Sequence, residues 1–402
     1  MRRLAVRDRP ASGIEPFAPE TAVHLPQDSP SRAWRVIDRL VVLGFAVGLT
    51  IPALMFGVGL RPPEIENRPL LTPPPFSVNR LLDPGWYSAL DKYLTDNIAL
   101  RPLAVRLRAR VTTNLGGTAN PAVILGTGDW MFTREELAPA CQLTAPQVVA
   151  SLDRVAARFA AAGQTFRFIV VPDKHVIYSD KLRPDTSLAQ TCTEGRRSAM
   201  RDALAQRTAY GVDGWSKLLA ARAARPVGPP LYYMADSHWT PSGAIVGIKA
   251  LIQSLDPALW RDDDVVPGRT TEVPQGLARQ MGLPRSEATL QIGVRPGVKA
   301  VRTAVQVPVH VNNARAVYRW TASGNRPLLP GRTVIVYDSF FGLNMARIAP
   351  FFEESIWIHV SDLKSHPELG TLLGPFDRVI LERVERGLYA TDLGTVLDPL
   401  AR

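Results

Sequence analysis

The hydrophobic pattern of the chain alternates between two periods. Short runs of β-branched and aromatic residues predict buried strands, and the longer segments between them repeat their apolar residues at helical spacing. The predicted strands are residues 165–171, 231–234, 333–336, 354–360 and 376–382, and the predicted helices are residues 83–111, 145–162, 198–210, 344–352 and one that begins at Pro241. This alternation indicates an α/β fold, with a parallel sheet flanked by helices on both faces.

Residues 265–319 depart from the alternation. They are rich in Val, Thr and Pro and poor in helix signals. We therefore predict a small β-rich insertion there, within one folded domain at residues 83–402.

One apolar run is long enough to cross a membrane. Residues 40–60 contain no charged side chain, and at ~1.5 Å per residue they can span a hydrocarbon core of ~30 Å. Arginines precede the run at positions 32, 35 and 39, which by the positive-inside rule places the N-terminus in the cytoplasm. A cleaved signal peptide fits less well, because the charged leader is long and no Ala-x-Ala site follows; a buried core helix is the other alternative. The predicted order is a disordered cytoplasmic segment at 1–39, a transmembrane helix at 40–60, a proline-rich linker at 61–82 and the folded domain.

Polar residues follow two of the predicted strands. Asp236 and His238 come directly after one apolar run, and Ser339 comes after another. A serine, an imidazole and a carboxylate form a nucleophilic triad, in which the histidine removes the serine proton and the carboxylate orients the histidine. We predict Ser339 as nucleophile, His238 as base and Asp236 as the orienting acid. The alternative is that Asp236 caps a loop and His238 is a structural histidine.

Further candidates lie near these positions in the pattern. Lys174 and His175 follow the predicted strand at 165–171 and are expected to line the same crevice, with His175 as a substrate contact, an alternative base or simply a solvated loop residue. Backbone N–H groups at and after Ser339, including that of Phe340, are candidates for an oxyanion hole, and Asn344 is a candidate side-chain donor.

Charge and cysteine content narrow the function classes. The net charge of +10 over 402 residues suits an anionic lipid surface, a polyanionic glycan or nucleic acid, and a solvated basic face is the plainer interpretation. Nucleic acid is not expected for a domain outside the cytoplasm. Cys141 and Cys192 are the two cysteines; their spacing fits no metal site, and whether they pair stays open. We predict neither a metal nor a cofactor.

The two site motifs resemble those of a known family. The Asp-x-His-Trp at residues 236–239 and the x-Asp-Ser-Phe at residues 337–340 are similar to motifs of the alginate O-acetyltransferase AlgX/AlgJ family, which has an SGNH-hydrolase-like domain. Further similar segments are the Glu-Asn-Arg-Pro-Leu at 66–70, the Asp-Asn-Ile-Ala-Leu-Arg at 96–101, the Gly-Thr-Gly-Asp-Trp-Met-Phe at 126–132, the Val-Pro-Asp-Lys at 171–174 and the Gly-Leu-Ala-Arg-Gln-Met-Gly-Leu at 276–283. Two positions depart from the family pattern: Tyr337 replaces a glycine, and Leu277 replaces an aspartate.

The resemblance implies a function as well as a fold. It implies an SGNH-like domain that transfers acetyl groups to hydroxyls of an exopolysaccharide through an acyl-serine intermediate. It also implies a bacterial inner-membrane protein with a periplasmic catalytic domain, working beside a multi-spanning membrane O-acyltransferase that delivers the acetyl group. Lys174, Phe340 and Asn344 are then expected to bind substrate or the oxyanion. Two other functions stay open: an acetyl esterase, and an inactive scaffold of an assembly complex, for which Tyr337 is the only support.

Overall fold

The structure is a computed structural model that describes residues 32–62, 70–139, 142–184, 186, 194–225, 228–307 and 316–400. The chain divides into two units, Met1–Arg61 and Pro62–Arg402. Cys141 and Cys192, most of the predicted disordered segment and the Glu-Asn-Arg-Pro part of the linker lie outside the described residues.

The first unit contains one long helix, α1, at Arg32–Gly57. It begins earlier than the predicted span at 40–60, so residues 32–39 are helical rather than disordered. Its end is set by Gly59, whose φ of +81° suits glycine, and by the Leu60 N–H, which bonds to the Met55 carbonyl; this arrangement satisfies the last carbonyls of a helix. Val36–Gly57 is apolar enough to cross a membrane, with a mean hydropathy of 2.2.

The second unit contains the remaining elements. Its helices are α2 Pro84–Asn97, α3 Arg101–Asn114, α4 Arg134–Leu137, α5 Ala145–Ala161, α6 Lys174–Ile177, α7 Glu194–Ala205, α8 Gly214–Ala224, α9 Pro241–Leu255, α10 Gly276–Gln280, α11 Ser339–Gly342, α12 Met345–Ile348, α13 Val360–Ser365 and α14 Leu393–Leu397. Its strands are β1 Val123–Leu125, β2 Met131–Thr133, β3 Thr165–Val171, β4 Gly211–Val212, β5 Val265–Pro274, β6 Ser286–Val294, β7 Val298–Ala304, β8 Tyr318–Gly324, β9 Leu329–Tyr337, β10 Phe352–His359 and β11 Arg378–Val384.

A seven-stranded sheet organises this unit. Its order is β4-β3-β11-β9-β10-β8-β7; the first five strands are parallel, and β8 and β7 add antiparallel pairs at one edge. Successive residues of β9 enter different cores: Val334 and Val336 pack with α5, α13 and α14, whereas Ile335 and Tyr337 pack with α9. Because side chains alternate along a strand, both faces of the sheet are covered. The predicted α/β class is confirmed.

The predicted β-rich insertion divides into two parts. β5 and β6 form a separate antiparallel hairpin with α10 between them. β7 and β8 instead extend the main sheet. The strand-like sequence at 265–319 therefore belongs to two different sheets, and only the β5–β6 part is separate from the main sheet.

Two sequence-based elements are wrong. Residues 231–234 are not a strand: this segment makes one isolated bridge, between Tyr232 and Trp239. It is apolar because it is buried under α9, not because it joins the sheet. The helix predicted at 344–352 is broken into α12 and a 3-10 turn at Ala349–Phe351, since Pro350 lacks the N–H that a continuing helix needs.

Two glycines allow α9 to pack closely against the segment from Leu231 to Trp239. A Cβ at Gly243 would lie 2.1 Å from the Leu231 carbonyl oxygen, and one at Gly247 would lie 2.8 Å from the Trp239 ring. Thr240 caps the N-terminus of this helix and Pro241 occupies its first turn, as predicted. The turn that carries Asp236 and His238 is thus held against a helix rather than a strand.

Candidate active site

Asp236, His238 and Ser339 meet in one hydrogen-bonded chain. The Ser339 Oγ lies 2.8 Å from His238 Nε2, and His238 Nδ1 lies 2.6 Å from Asp236 Oδ1. The serine side is open to solvent, because Ser339 is exposed. With Nδ1–H donated to the carboxylate, Nε2 has a lone pair directed at the serine hydroxyl. This geometry allows the imidazole to accept the hydroxyl proton.

Asp236 is fixed by a tight turn and by a distant glycine. Its Oδ1 also accepts the backbone N–H of His238, at 2.9 Å, and its Oδ2 accepts the N–H of Gly276, at 2.7 Å. Burial opposes the negative charge, but the hydrogen bonds from His238 and Gly276 outweigh it and lower the pKa of Asp236 to about 2. The carboxylate therefore stays ionised across the pH range in which an imidazole titrates.

Asp338 positions the serine that follows it. Its carboxylate accepts the N–H of Phe340 at 3.0 Å, which caps α11, and the N–H of Val384 at the end of β11, at 2.8 Å. Its own N–H donates to Glu382, at 2.9 Å. Burial and the nearby Asp338 carboxylate raise the pKa of Glu382 well above its usual range. These contacts fix the β9–α11 turn to the neighbouring strand.

Trp239 and Phe340 join the two halves of the site. The Trp239 Nε1–H donates to the Phe340 carbonyl at 3.2 Å, and the Phe340 ring lies 5.0 Å from the His238 ring. Both aromatic side chains are buried. Trp239, which follows His238, therefore contacts the serine motif, and Phe340, which follows Ser339, contacts the histidine motif.

Lys174, Phe340 and Asn344, which are expected from the sequence to bind substrate or the oxyanion, have polar groups that bond within the protein. Lys174 is fully buried and donates to backbone carbonyls, so its ammonium is not presented to solvent. The Phe340 N–H is committed to Asp338, which corrects its prediction as an oxyanion donor. The Asn344 amide donates to the Phe340 carbonyl at 2.8 Å, and its oxygen accepts from Arg347. Asn344 thus shapes the turn after the serine instead of facing a substrate.

A buried charged cluster lies behind the site, and the sequence reasoning missed most of it. His175 is buried, contrary to the expected solvated loop residue; its N–H donates to Glu136 at 3.2 Å and its Nε2 lies 2.8 Å from Arg197. Asp173 pairs with Arg386, whose guanidinium lies 5.7 Å from the Phe340 ring. The one local signal was the Thr-x-x-Glu capping box that ends in Glu136, because the other members come from distant segments.

The structure accounts for both departures from the family pattern. The Tyr337 ring is buried against Trp357 and His359, and it passes over Gly342, where a Cβ would lie 3.1 Å from the ring. Leu277 is buried, and its N–H bonds to the Ala235 carbonyl. It follows Gly276, which bonds to Asp236, so this segment supports the site although it is distant in sequence.

Neither a metal site nor the cavity between α8 and α9 coincides with these residues. Among the described residues no group of three or more His, Cys, Asp and Glu side chains is arranged to hold a metal ion. A cavity of 670 Å³ lies between α8 and α9, and Asp236, His238 and Ser339 do not line it. The candidate site is instead an open surface around the serine.

Comparison with known proteins finds a family similarity over part of the chain. Residues 123–314 match the family model described as an SGNH hydrolase-like domain, acetyltransferase AlgX. Over these residues, slightly less than half of its length, the chain is similar to the AlgX/AlgJ family. Asp236 and His238 lie inside the matched residues, whereas Ser339 lies beyond their end at residue 314.

The chain is also similar to curated relatives and to a solved structure that carry the AlgJ name. The chain is 23% identical over 188 residues to a probable alginate O-acetylase AlgJ of Pseudomonas fluorescens, covering 45% of this chain and 46% of the relative. It is 24% identical over 173 residues to the AlgJ protein of Azotobacter vinelandii, covering 42% of each. The O-acetyltransferase domain of Pseudomonas putida AlgJ is 18% identical, with a TM-score of 0.45 over 67% of this chain and 93% of that chain. The match thus spans less than half the length of either curated relative.

Proposed function

We propose that this protein is an O-acetyltransferase that acts through an acetyl-Ser339 intermediate. The observation that carries the proposal is the hydrogen-bonded chain from Ser339 Oγ through His238 to Asp236. Ser339 is exposed at the start of α11, while Asp338 and Phe340 on either side of it are buried. An open serine with a positioned base suits attack on an acyl group carried by a second molecule.

The reaction has two balanced halves. As Ser339 Oγ attacks the acetyl carbonyl, His238 Nε2 takes the hydroxyl proton; the bond to the donor oxygen then breaks and that oxygen leaves with the proton. An acceptor hydroxyl next attacks the acetyl-serine, passes its proton to His238, and Ser339 recovers that proton as the ester bond breaks. Asp236 stabilises the imidazolium in both halves. The Ser339 N–H, in the first turn of α11, lacks an intrahelical acceptor and is our candidate oxyanion donor.

We propose a polysaccharide hydroxyl as the acceptor. The support is the match to the acetyltransferase family model over residues 123–314 and the names of the relatives, which are probable alginate O-acetylases. An esterase uses the same three residues with water as acceptor, so the two functions differ in product and not in site. An inactive scaffold is disfavoured, because Tyr337 fits beside Gly342 without disturbing the hydrogen bond between Ser339 and His238.

Product analysis separates transfer from hydrolysis. With a synthetic acetyl ester as donor, adding an acceptor oligosaccharide is expected to divert acetyl groups to sugar esters, measured by mass spectrometry, and to lower free acetate. Ser339→Ala serves as the blank for uncatalysed transfer. Free acetate released at an unchanged rate, with unmodified sugar, would support the esterase instead.

We also propose that α1 anchors the protein in the bacterial inner membrane, with the domain after it in the periplasm. The apolar length of Val36–Gly57 and the arginines before it support this orientation. A multi-spanning membrane O-acyltransferase is the proposed acetyl donor partner, because an acetyl group must cross the membrane to reach the domain.

A reporter fusion tests the orientation. Alkaline phosphatase fused after Leu400 is expected to be active in cells, since this enzyme needs an oxidising compartment. The matched control is the same fusion to a chain with α1 deleted, which should be inactive. An active cytoplasm-only reporter at that position would reverse the topology.

A further inference from the structure

Lys174 occupies an unusual place beside the candidate site. It begins α6, directly after β3, and its side chain is fully buried. Its Nζ lies 2.7 Å from the carbonyl oxygen of Asp236 and 3.2 Å from those of Tyr233 and Met234, and it also contacts the Met131 carbonyl. One ammonium group thus gathers carbonyl oxygens from β2 and from the segment that leads into Asp236.

This segment needs such a partner because it is not a strand. The Met234 carbonyl accepts one backbone bond, from the Met131 N–H at 2.8 Å, and the one bridge nearby joins Tyr232 to Trp239. Buried carbonyl groups without a ladder partner are costly unless another donor satisfies them. A charged donor in a low-dielectric interior makes stronger bonds than a neutral one. The turn that carries Ser339 is bonded to the neighbouring strand β11 through Asp338. Lys174 supplies the corresponding bonds to the segment that carries Asp236.

Some neighbours of the Lys174 ammonium stabilise its positive charge, and burial opposes it. The ring of Phe132 lies 4.9 Å away and that of Trp130 lies 5.7 Å away, close enough for a cation–π contribution. Burial lowers the pKa of Lys174 to about 8, an effect opposed by the Glu136, Asp236 and Glu287 carboxylates and assisted by Arg386. Deprotonation near this pH removes the charge from the bonds to the carbonyl oxygens.

We propose that Lys174 is a positioning residue for the Asp236–His238 pair: its ammonium holds the carbonyls of Tyr233, Met234 and Asp236, and so fixes where the imidazole meets Ser339. This inference rests on the proposed function. Lys174 touches neither Ser339 nor, by its burial, a substrate. A displacement of about 1 Å in a catalytic group can cost about 10²-fold in rate, so its removal acts on kcat and leaves KM near its wild-type value.

The test compares two Lys174 variants of the full chain across pH. With a synthetic acetyl ester, wild-type kcat is expected to fall as pH rises through about 8, because the ammonium is then lost. Lys174→Met should lower kcat about 10- to 100-fold at pH 7 with KM changed less than about twofold, and its alkaline fall should be absent. Lys174→Arg keeps a charged donor at every pH and should move the fall to higher pH. Lys92→Met, which removes an exposed lysine on α2, is the control and should match the wild type.

Each result bears on the proposal. A wild-type kcat that stays level from pH 7 to 9.5 overturns it, and that measurement needs no variant to fold. A folded Lys174→Met protein with wild-type kcat also overturns it, as does a variant that raises KM alone. If Ser339→Ala keeps full turnover, the proposed function fails; if Ser339→Ala is inactive while Lys174→Met is not impaired, only the role of Lys174 fails.

Discussion

Replacing Ser339 or His238 by alanine is expected to lower acetyl transfer by a factor on the order of 10³ or more without unfolding the domain. The reason is the 2.8 Å contact between the two side chains: the alcohol is a weak nucleophile until its proton has an acceptor, and the acceptor is useless without the alcohol. The double variant should be little worse than either single variant, because members of such a unit do not act independently. Release of acetate and acetylated sugar from a synthetic acetyl ester measures all three variants.

Asp236→Ala removes the acceptor of three hydrogen bonds, two from His238 and one from Gly276. It should leave more activity than the serine and histidine variants, because the carboxylate orients the base and takes no part in bond making. Ser361→Ala is the matched control: it removes a second serine that lies 2.7 Å from a histidine, His359, at the end of β10. It should leave turnover unchanged. A folded Ser339→Ala protein with full turnover would exclude the acyl-serine mechanism.

Arg386→Met is expected to destabilise the folded domain by about 3–5 kcal/mol, because it strands a buried carboxylate. The Arg386 guanidinium pairs with Asp173, which is 1% exposed. Glu136 and Glu385 are buried nearby, and both raise the pKa of Asp173. Chemical denaturation of the full chain in detergent measures the loss. Arg386→Lys keeps the charge and should cost less.

The pH dependence and a double variant sharpen this test. Burial raises the pKa of Asp173 to about 7, against the lowering effect of Arg386. A carboxyl whose folded pKa exceeds its unfolded value of about 3.9 contributes stability at low pH that is lost as pH rises through the folded value. The loss in Arg386→Met should therefore be smaller at pH 5 than at pH 8, and adding Asp173→Asn should recover much of it. Arg201→Met, at an exposed pair with Asp202, should change stability by less than about 1 kcal/mol. An Arg386→Met protein as stable as this control would show that the buried pair contributes nothing.

Local periodicity predicted the elements whose environment is uniform along their length. The strand at 165–171 is present as predicted, and the strand at 333–336 lies in the C-terminal half of β9. Both sequences are apolar because every residue of a strand that is covered on both faces packs in a core. The helix at 145–162 is also present. Its apolar face packs on the sheet and its polar face contacts solvent, which gives the helical period in the sequence. Residues 231–234 have the same apolar composition for another reason, burial beneath α9. Composition reports burial, and it does not report which backbone groups pair.

The candidate site also has a part that local sequence predicts and a part that it does not. Asp236, His238 and Ser339 could be named as candidates from the sequence alone, since reactive side chains at the ends of apolar runs are a short-range feature of the chain. The sequence also predicted that a capped helix begins at Pro241. It could not assign Lys174, Phe340 or Asn344, because each has polar groups that are equally suited to a substrate and to a neighbouring backbone.

Only the tertiary structure decided between those uses. Lys174 is buried because β3 ends beneath the turn of Asp236, and its carbonyl partners come from segments about 40 and 60 residues away in sequence. Asp338 likewise caps α11 and also bonds to the end of β11. The charged cluster of Asp173 and Arg386 joins residues 213 positions apart. The sequence determined which groups are available for chemistry and which segments must be buried. Which buried polar groups share a hydrogen bond depends on the packing of distant segments, and local periodicity carries no record of that packing.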